Sequence, residues 1–258
     1  MIGEVAYGLV RAADGSVHCV RTRRSIARGA VIGWGLGLVW GLSFAAGVPQ
    51  PGYEWTRDSL SALAAIGAES AWIGMLAIGL AGAATIAASL ILRRISPPGA
   101  LTLVVAGGAL IVIAGAQIQC HGGAAGCHMV PELGKWKGQV HLAAVGLYEL
   151  CFVAAIGSAA ISLWRAGLHG EALIGLVGML ASLVLFAHPS ALGFSDPDAL
   201  GLYQRMWLAS HSLMIVGLHV CEMRARRMRG PAPEPAVPAE GPDGARSARP
   251  RFLARPGL

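Results

Sequence analysis

Charged residues are scarce in this sequence. Asp, Glu, Lys and Arg make up 13% of its 258 residues, and hydrophobic residues make up 55%. Soluble domains carry roughly 25% charged residues. This deficit excludes an ordinary soluble domain and indicates a chain that lipid mostly solvates.

Two common functional motifs are also missing. The chain has no Gly-x-Ser-x-Gly segment, which presents the nucleophile of many hydrolases. It has no Cys-x-x-Cys-His segment for covalent attachment of haem. We therefore predict no cofactor, and a protein without enzymatic activity is favoured over an enzyme.

Six long apolar stretches are present, and each is about as long as a bilayer is thick. We predict transmembrane helices at Ala30–Val48, Ser70–Leu92, Ala100–Ile118, Val140–Trp164, Ala172–Ala187 and Tyr203–Met223. The stretches are continuously apolar, whereas strands of a membrane barrel alternate in polarity over about 10 residues. The sequence therefore predicts an all-α fold, a polytopic bundle of six transmembrane helices.

Arginines are concentrated in alternate gaps between these stretches. They precede the first stretch (Arg21, Arg23, Arg24, Arg28) and follow the second (Arg93, Arg94), the fourth (Arg165) and the sixth (Arg224, Arg226, Arg227, Arg229). Since short cytoplasmic loops carry the excess of Lys and Arg, both termini are predicted to be cytoplasmic, in a prokaryotic plasma membrane. Arginines beside a membrane contact lipid head groups, so we expect membrane lipids as partners and no nucleic acid.

The chain is predicted to have three parts. Residues 1–28 form a basic cytoplasmic segment with no cleavable signal peptide, so the first helix is expected to be a retained anchor. Residues 29–224 form the six-helix transmembrane domain. Residues 225–258, rich in Pro, Ala, Gly and Arg, are predicted to be a disordered cytoplasmic tail.

A glycine repeat marks the first predicted helix. Gly33, Gly37 and Gly41 recur every four residues on one helix face. Small residues at this spacing let helices pack closely in lipid. The stripe is expected to pack within the bundle, with a homodimer through the same face as the alternative.

Two cysteines share the predicted outer loop between the third and fourth helices. Cys120 and Cys127 are expected to form a disulfide, because that compartment is oxidising in bacteria. His121 and His128 follow them directly, so a zinc or copper site built from two Cys-His pairs is an alternative. The spacing matches no standard zinc site, and we predict no bound metal.

Ionisable residues inside a transmembrane helix are costly and are candidates for function. His141 and Arg205 lie near the outer ends of their predicted helices, and Glu149 and His211 lie eight and six residues deeper. His219 and Glu222, near the inner boundary, are expected to be solvated. Tryptophans near the predicted boundaries, among them Trp207, are expected to be interfacial anchors.

The segment after the first predicted helix supplies further polar groups. Asp58, Ser59 and Ser61 lie in it, and Leu60, Leu63 and Ile66 place an apolar stripe on one face of a short helix. Asp58 or Ser59 would be its N-cap. We expect this helix to lie on the outer surface or to dip into the mouth of the bundle.

Three functions compete for these residues. The favoured one binds or handles a lipid or small amphiphile in a polar cavity facing the outer leaflet, through Asp58, Ser59, His141, Glu149, Arg205 and His211. The second is an intramembrane hydrolase with Ser59 or Ser61 as nucleophile, His141 or His211 as base and Asp58 or Glu149 as orienting carboxylate. The third is a haem or metal protein with histidine ligands.

Four short motifs together resemble the domain of unknown function 998 family of prokaryotic membrane proteins. They are Tyr53 with Arg57-Asp58-Ser59-Leu60-Ser61-Ala62-Leu63, then Gly126-Cys127-His128, Gly138-Gln139-Val140-His141 and Gly201-Leu202-Tyr203-Gln204-Arg205. The resemblance implies a six-helix bundle over about 30–224 and no particular activity. Ala62 and Gln204 stand where the family has carboxylates, so chemistry that needs those groups would not carry over.

Overall fold

The structure, a computed structural model, describes residues 10–11, 17–18, 21–119, 134–188 and 199–228, with side chains between residues 33 and 224 except Trp34. Its helices are α1 (Arg21–Gly47), α2 (Ala71–Leu92), α3 (Pro97–Gly115), α4 (Trp136–Arg165), α5 (His169–Ala187) and α6 (Leu200–Met228). The strands β1 (Val10–Arg11) and β2 (Val17–His18) form a short antiparallel pair. Apart from this short pair, all the described elements are helices, as the all-α prediction expects.

Helices α2 to α5 are long and apolar enough to cross a membrane. The apolar part of α1 is shorter, Gly35–Gly47. The six helices follow the six predicted stretches, and most boundaries agree within a few residues. Two extend further: α1 begins at Arg21, inside the predicted basic segment, and α6 continues to Met228, past the predicted start of the tail.

Local sequence signals explain where α3 begins. Ser96 is its N-cap, and its side chain accepts a hydrogen bond from the backbone N–H of Gly99. Pro97 and Pro98 follow it, where a residue without a backbone N–H costs nothing because that group has no partner within the helix. Only four residues therefore separate the end of α2 from the start of α3.

The helices pack mainly against their neighbours in the chain, and α6 closes the bundle against α1 and α2. One hydrophobic core, with Phe152 of α4 fully buried, joins α2, α3, α4 and α6. A Cβ atom on Gly82 of α2 would lie 2.7 Å from the carbonyl oxygen of Gly107, and one on Gly107 would lie 2.6 Å from that of Gly82. Only glycine at these two positions allows α2 and α3 to approach so closely.

The predicted packing of the α1 glycine stripe within the bundle is wrong. At Gly33, Gly37 and Gly41, no atom of the described residues lies within 4 Å of the position that a Cβ would take. All three glycines are exposed. The close helix contact is made by Gly82 and Gly107 instead, and the homodimer through α1 stays a prediction.

The predicted short helix after α1 is a single 3-10 turn, Ser61–Ala64. All four of its residues are buried, so it dips into the bundle and does not lie on an outer surface. Its N-cap is Leu60, without a side-chain cap, so the prediction of Asp58 or Ser59 as N-cap is wrong. The Ser59 hydroxyl still accepts a hydrogen bond from the N–H of Ala62 at 3.1 Å. A Cβ on Gly74 would lie 2.5 Å from the carbonyl oxygen of Leu63, so this glycine lets the turn pack directly on α2.

Ion pairs join three helices at one end of the bundle. Arg94, just after α2, binds Glu222 of α6 at 2.9 Å, and Arg224 of α6 binds Glu171 in the first turn of α5 at 3.1 Å. The expectation that Glu222 and His219 are solvated is wrong, since both are buried. Glu222 can be buried because Arg94, in the turn after α2, is its cationic partner.

Candidate functional site

A network of buried polar side chains is centred on Glu149 of α4. Its Oε1 atom accepts a hydrogen bond from the hydroxyl of Ser182 at 2.9 Å, and its Oε2 atom accepts one from the indole N–H of Trp207 at 2.9 Å. Nε2 of His211 lies 3.1 Å from Oε2. Glu149 is 1% exposed, so these partners replace the water that a carboxylate would otherwise require.

His211 is held from both sides of its ring. Nδ1 lies 2.9 Å from the hydroxyl of Tyr148, and Nε2 lies 2.6 Å from the hydroxyl of Ser182. Its ring centroid is 4.1 Å from that of Phe152 and 5.1 Å from that of Trp207. We call Glu149, Tyr148, Ser182, Trp207 and His211 the Glu149 network.

Helix geometry explains why these residues meet. Trp207 and His211 are four residues apart, so they lie one above the other on one face of α6. Tyr148 and Glu149 are consecutive in α4, and both are buried because that helix is covered broadly. Ser182 is one of two buried residues of α5, so its hydroxyl is the group through which α5 joins the network.

The arrangement differs from that of a hydrolytic triad. In a triad the serine and the carboxylate contact opposite nitrogens of the histidine ring. Here Ser182 and Glu149 both approach Nε2 of His211, and Tyr148 occupies the Nδ1 side. Ser182 is also fully buried, which leaves its hydroxyl without access to a substrate.

A cleft lies beside this network, between α1, α2 and α6. Its empty space amounts to about 680 Å³, a figure that includes open solvent at its mouth. Most of its lining is aliphatic, and its side chains with polar atoms are Trp40, Ser43, Thr85, Tyr148, His211 and Ser212. His211 is the one predicted site residue among the residues that line this cleft.

A second polar cluster surrounds Arg205 at the start of α6. Its Nη1 atom donates to the carbonyl oxygens of Trp55, Asp58 and Gly201 at 2.5, 3.0 and 2.8 Å. Its Nη2 atom donates to the hydroxyl of Tyr53. The guanidinium carbon lies 4.5 Å from the ring centroid of Trp55. We call Arg205, Tyr53, Trp55 and the three carbonyls the Arg205 cluster.

The Arg205 cluster holds the segment after α1 against α6. Burial raises the pKa of Tyr53, while the nearby Arg205 acts in the opposite direction. The Tyr53 hydroxyl is therefore protonated at neutral pH, and it donates to the carbonyl of Asp58 at 3.5 Å. Gln204 adds a contact by accepting from the N–H of Leu60 at 3.2 Å. Gln204, which stands where the family has a carboxylate, therefore contacts a neutral backbone N–H.

The remaining predicted ligand residues lie in separate places. Asp58 accepts from the N–H of Glu54 at 2.7 Å and pairs with Arg57 at 3.2 Å. His141 is buried, with Nδ1 2.9 Å from the carbonyl oxygen of Ala116. The hydroxyls of Ser59 and Ser61 lie 3.1 Å apart. The six predicted residues therefore do not line one common cavity.

The Cys-His loop falls outside the described residues, as do all four of its candidates: Cys120, His121, Cys127 and His128. Within the described ranges, no group of three or more His, Cys, Asp and Glu residues is placed to hold a metal ion. Cys151 and Cys221, both described, are free thiols.

Sequence analysis did not identify three members of the Glu149 network. Trp207 was expected at the membrane interface, but it is 7% exposed and its indole N–H binds Glu149. The spacing of four residues between Trp207 and His211 places both on one face of a helix, and this could have identified Trp207 as a partner of the network. Tyr148 stands next to Glu149 in the sequence, whereas Ser182 is an isolated serine in an apolar helix and carries no comparable signal.

These features define an all-α protein with apolar, membrane-like helices and a buried polar network beside an open cleft. A protein-family model described as "Protein of unknown function (DUF998)" matches residues 31–220. The chain belongs to this family. No curated protein and no solved structure matches it.

Proposed function

We propose that this protein is an integral membrane protein that binds a lipid or other small amphiphile in the cleft between α1, α2 and α6. The cleft itself is the observation that carries this proposal. It is lined mostly by aliphatic side chains, it is partly open, and its lining includes the polar side chains of Tyr148 and His211. Ligand pockets commonly combine an apolar wall with a few polar groups that orient the ligand.

The proposed topology has six spans with both termini in the cytoplasm of a prokaryotic cell. Helices α1 and α6, with 27 and 29 residues, reach about 40 Å at 1.5 Å per residue, enough to cross a bilayer. The ion pairs of Arg94 with Glu222 and of Arg224 with Glu171 support a shared arginine-rich end. Such an end faces the cytoplasm by the positive-inside rule.

Reporter fusions test this topology. Fusions ending after Arg94 and after Arg165 are expected to report a cytoplasmic position, and a fusion ending after Gly52 the opposite side. A reporter on the outer side after Arg94 would contradict the orientation.

Photo-crosslinking tests the binding site. Cells expressing the protein are fed a fatty acid that carries a diazirine and an alkyne, so that many lipid classes contain the probe. Irradiation is expected to attach lipid to residues of the cleft, such as Val39, Ile78 and Leu208. Attachment to Leu90 and Leu150, which are exposed, measures the surrounding bulk lipid in the same sample.

Two substitutions in α2 provide a matched pair. Ala81 lines the cleft, whereas Ala83 is exposed and is not among the lining residues. Ala81→Phe is expected to remove most cleft labelling by filling the space, and Ala83→Phe to leave it unchanged. Equal labelling of the cleft in both variants, or labelling confined to Leu90 and Leu150, would refute the proposal.

A further inference from the structure

The polar groups of the cleft have a common property. Ser43 donates its hydrogen to the carbonyl of Val39 at 2.9 Å, and Thr85 donates to the carbonyl of Ala81 at 2.8 Å. In both cases the acceptor is a carbonyl of the residue's own helix, four positions earlier. A hydroxyl that donates in this way retains oxygen lone pairs, and these can only accept.

The third hydroxyl of the cleft follows the same rule. Ser212 donates to the carbonyl of Leu208 at 3.1 Å. The indole N–H of Trp40 donates to the Ser212 oxygen at 3.4 Å, so this donor of the lining is directed at a neighbour. The hydroxyl of Tyr148 and Nδ1 of His211 are also within hydrogen-bond distance of each other. The cleft thus offers acceptors to a ligand, and its donors are engaged.

The lining also carries no fixed charge. None of the residues that line the cleft in the described part of the chain is Arg, Lys, Asp or Glu. Arg205, the residue expected to hold a phosphate or carboxylate, directs its Nη atoms at the carbonyls and hydroxyl of the Arg205 cluster. An anionic head group in the cleft would lose its water without gaining a cation or a free donor, which is unfavourable.

We infer that the amphiphile bound in the cleft has an uncharged head group that donates hydrogen bonds, as the hydroxyls of a monoacylglycerol or a long-chain alcohol do. This inference rests on the proposed function, and it names the class of ligand for the same site. The head group donates to the hydroxyl oxygens of Ser43 and Ser212, and the chain lies along the aliphatic wall. A hydrogen-bonding site of this kind selects strongly against an analogue that lacks the hydrogens.

Three diazirine probes with the same acyl chain separate the possibilities. They are a monoacylglycerol, its dimethyl ether and a lysophosphatidate, each added to purified protein in phosphatidylcholine vesicles. The ether keeps the neutral charge but loses both donors, and the lysophosphatidate is anionic. Labelling at Val39, Ile78 and Leu208 is expected to be about fivefold stronger with the monoacylglycerol than with either other probe, from the loss of one or two hydrogen bonds.

Serine variants test whether the hydroxyls of the cleft cause the preference for the monoacylglycerol. The double change Ser43→Ala with Ser212→Ala is expected to lower monoacylglycerol labelling several-fold and to leave ether labelling unchanged. Ser162→Ala is the matched control, since Ser162 also donates to a carbonyl four residues earlier in its own helix, at 2.9 Å, but lies outside the cleft lining. Elution on size exclusion checks that each variant is folded.

The outcomes distinguish this inference from the proposed function. If the lysophosphatidate or the ether labels the cleft as strongly as the monoacylglycerol, the ligand class is wrong and the binding site stands. If no probe labels the cleft above Leu90 and Leu150, the proposed function itself fails, and the inference fails with it.

Discussion

The two polar clusters along α6 contain Glu149, His211 and Arg205, three of the ionisable residues expected to form one cavity, yet they are built in opposite ways. Arg205 is satisfied mainly by backbone carbonyls of the segment after α1 and of its own helix. Glu149 is satisfied by side chains from two other helices, α5 and α6. Arg205 therefore fixes a loop, while Glu149 fixes the relative positions of helices.

The difference also determines which cluster can act on a ligand. His211 and Tyr148 of the Glu149 network line the cleft, whereas no residue of the Arg205 cluster does. A position near the membrane surface made Arg205 the natural candidate for a head group. Both Nη atoms of this buried arginine donate to groups of its own chain, while its Nε atom has no hydrogen-bond partner among the described residues. Location alone therefore does not identify a binding residue.

The largest effect is expected from the Glu149 network. Glu149→Ala leaves the buried Ser182, Trp207 and His211 without their shared acceptor, and breaking such a pair costs about 3 kcal/mol or more of unfolding free energy. Because His211 loses its charged neighbour in the same event, the double variant with His211→Ala is expected to cost clearly less than the sum of the two single changes. Denaturant titration in detergent measures all three. Strict additivity would mean that the two residues are not coupled.

Arg205→Ala is expected to have the second largest effect. It removes charge-assisted hydrogen bonds to three carbonyls and the ring contact with Trp55, at a cost of about 2 kcal/mol. Arg205→Lys is expected to recover only part of the loss, because a lysine lacks the planar set of donors. Lipid labelling in the cleft, compared per folded molecule, is expected to stay at the wild-type level. Loss of labelling in folded Arg205→Ala protein would mean that Arg205 does contribute to lipid binding.

Tyr53→Phe tests the Arg205 cluster with a smaller expected loss of stability. It removes the hydroxyl that accepts from Arg205, at about 1 kcal/mol. Burial raises the pKa of Tyr53 above its ordinary value of 10.0, so the folded state favours the neutral phenol. That stabilisation is complete below pH 10 and is lost as the pH rises through the raised value. Wild type is therefore expected to lose more stability than Tyr53→Phe above that pH; identical pH profiles would contradict the assigned burial.

The sequence was a good guide to the helices for a physical reason. A helix that crosses a bilayer needs about 20 predominantly apolar residues, so a single continuous apolar stretch such as that of α2 is enough to predict it. The all-α fold and the family followed from such stretches and from short motifs. The partner of a helix face is not encoded locally: Gly33, Gly37 and Gly41 have the ideal spacing but stay open, and Gly82 and Gly107 make the contact.

The candidate site was predicted only in part. Glu149 and His211 were identified because ionisable groups in apolar stretches stand out, and they do lie together. Ser182 was missed because a serine in an apolar helix is unremarkable until its partner on another helix is known. The assignment of Arg205 to a ligand stays a prediction. The contacts of its Nη1 atom could not be foreseen, because its acceptors are backbone carbonyls and every residue has one of those. Sequence reveals which groups need partners, but the fold supplies the partners.

Arg57→Ala is expected to have the smallest effect and sharpens the contrast between two arginines of the same region. Arg57 pairs with Glu54 at 3.3 Å and with Asp58 at 3.2 Å, but its side chain is 34% exposed and that of Glu54 63%. Solvent-exposed ion pairs contribute about 0.5 kcal/mol, and salt screens them. Denaturant titration of Arg57→Ala beside Arg205→Ala, at low and high salt, measures the difference. A loss for Arg57→Ala as large as that for Arg205→Ala would mean that charge near this end of the bundle, and not the burial of one guanidinium against carbonyls, stabilises the segment after α1.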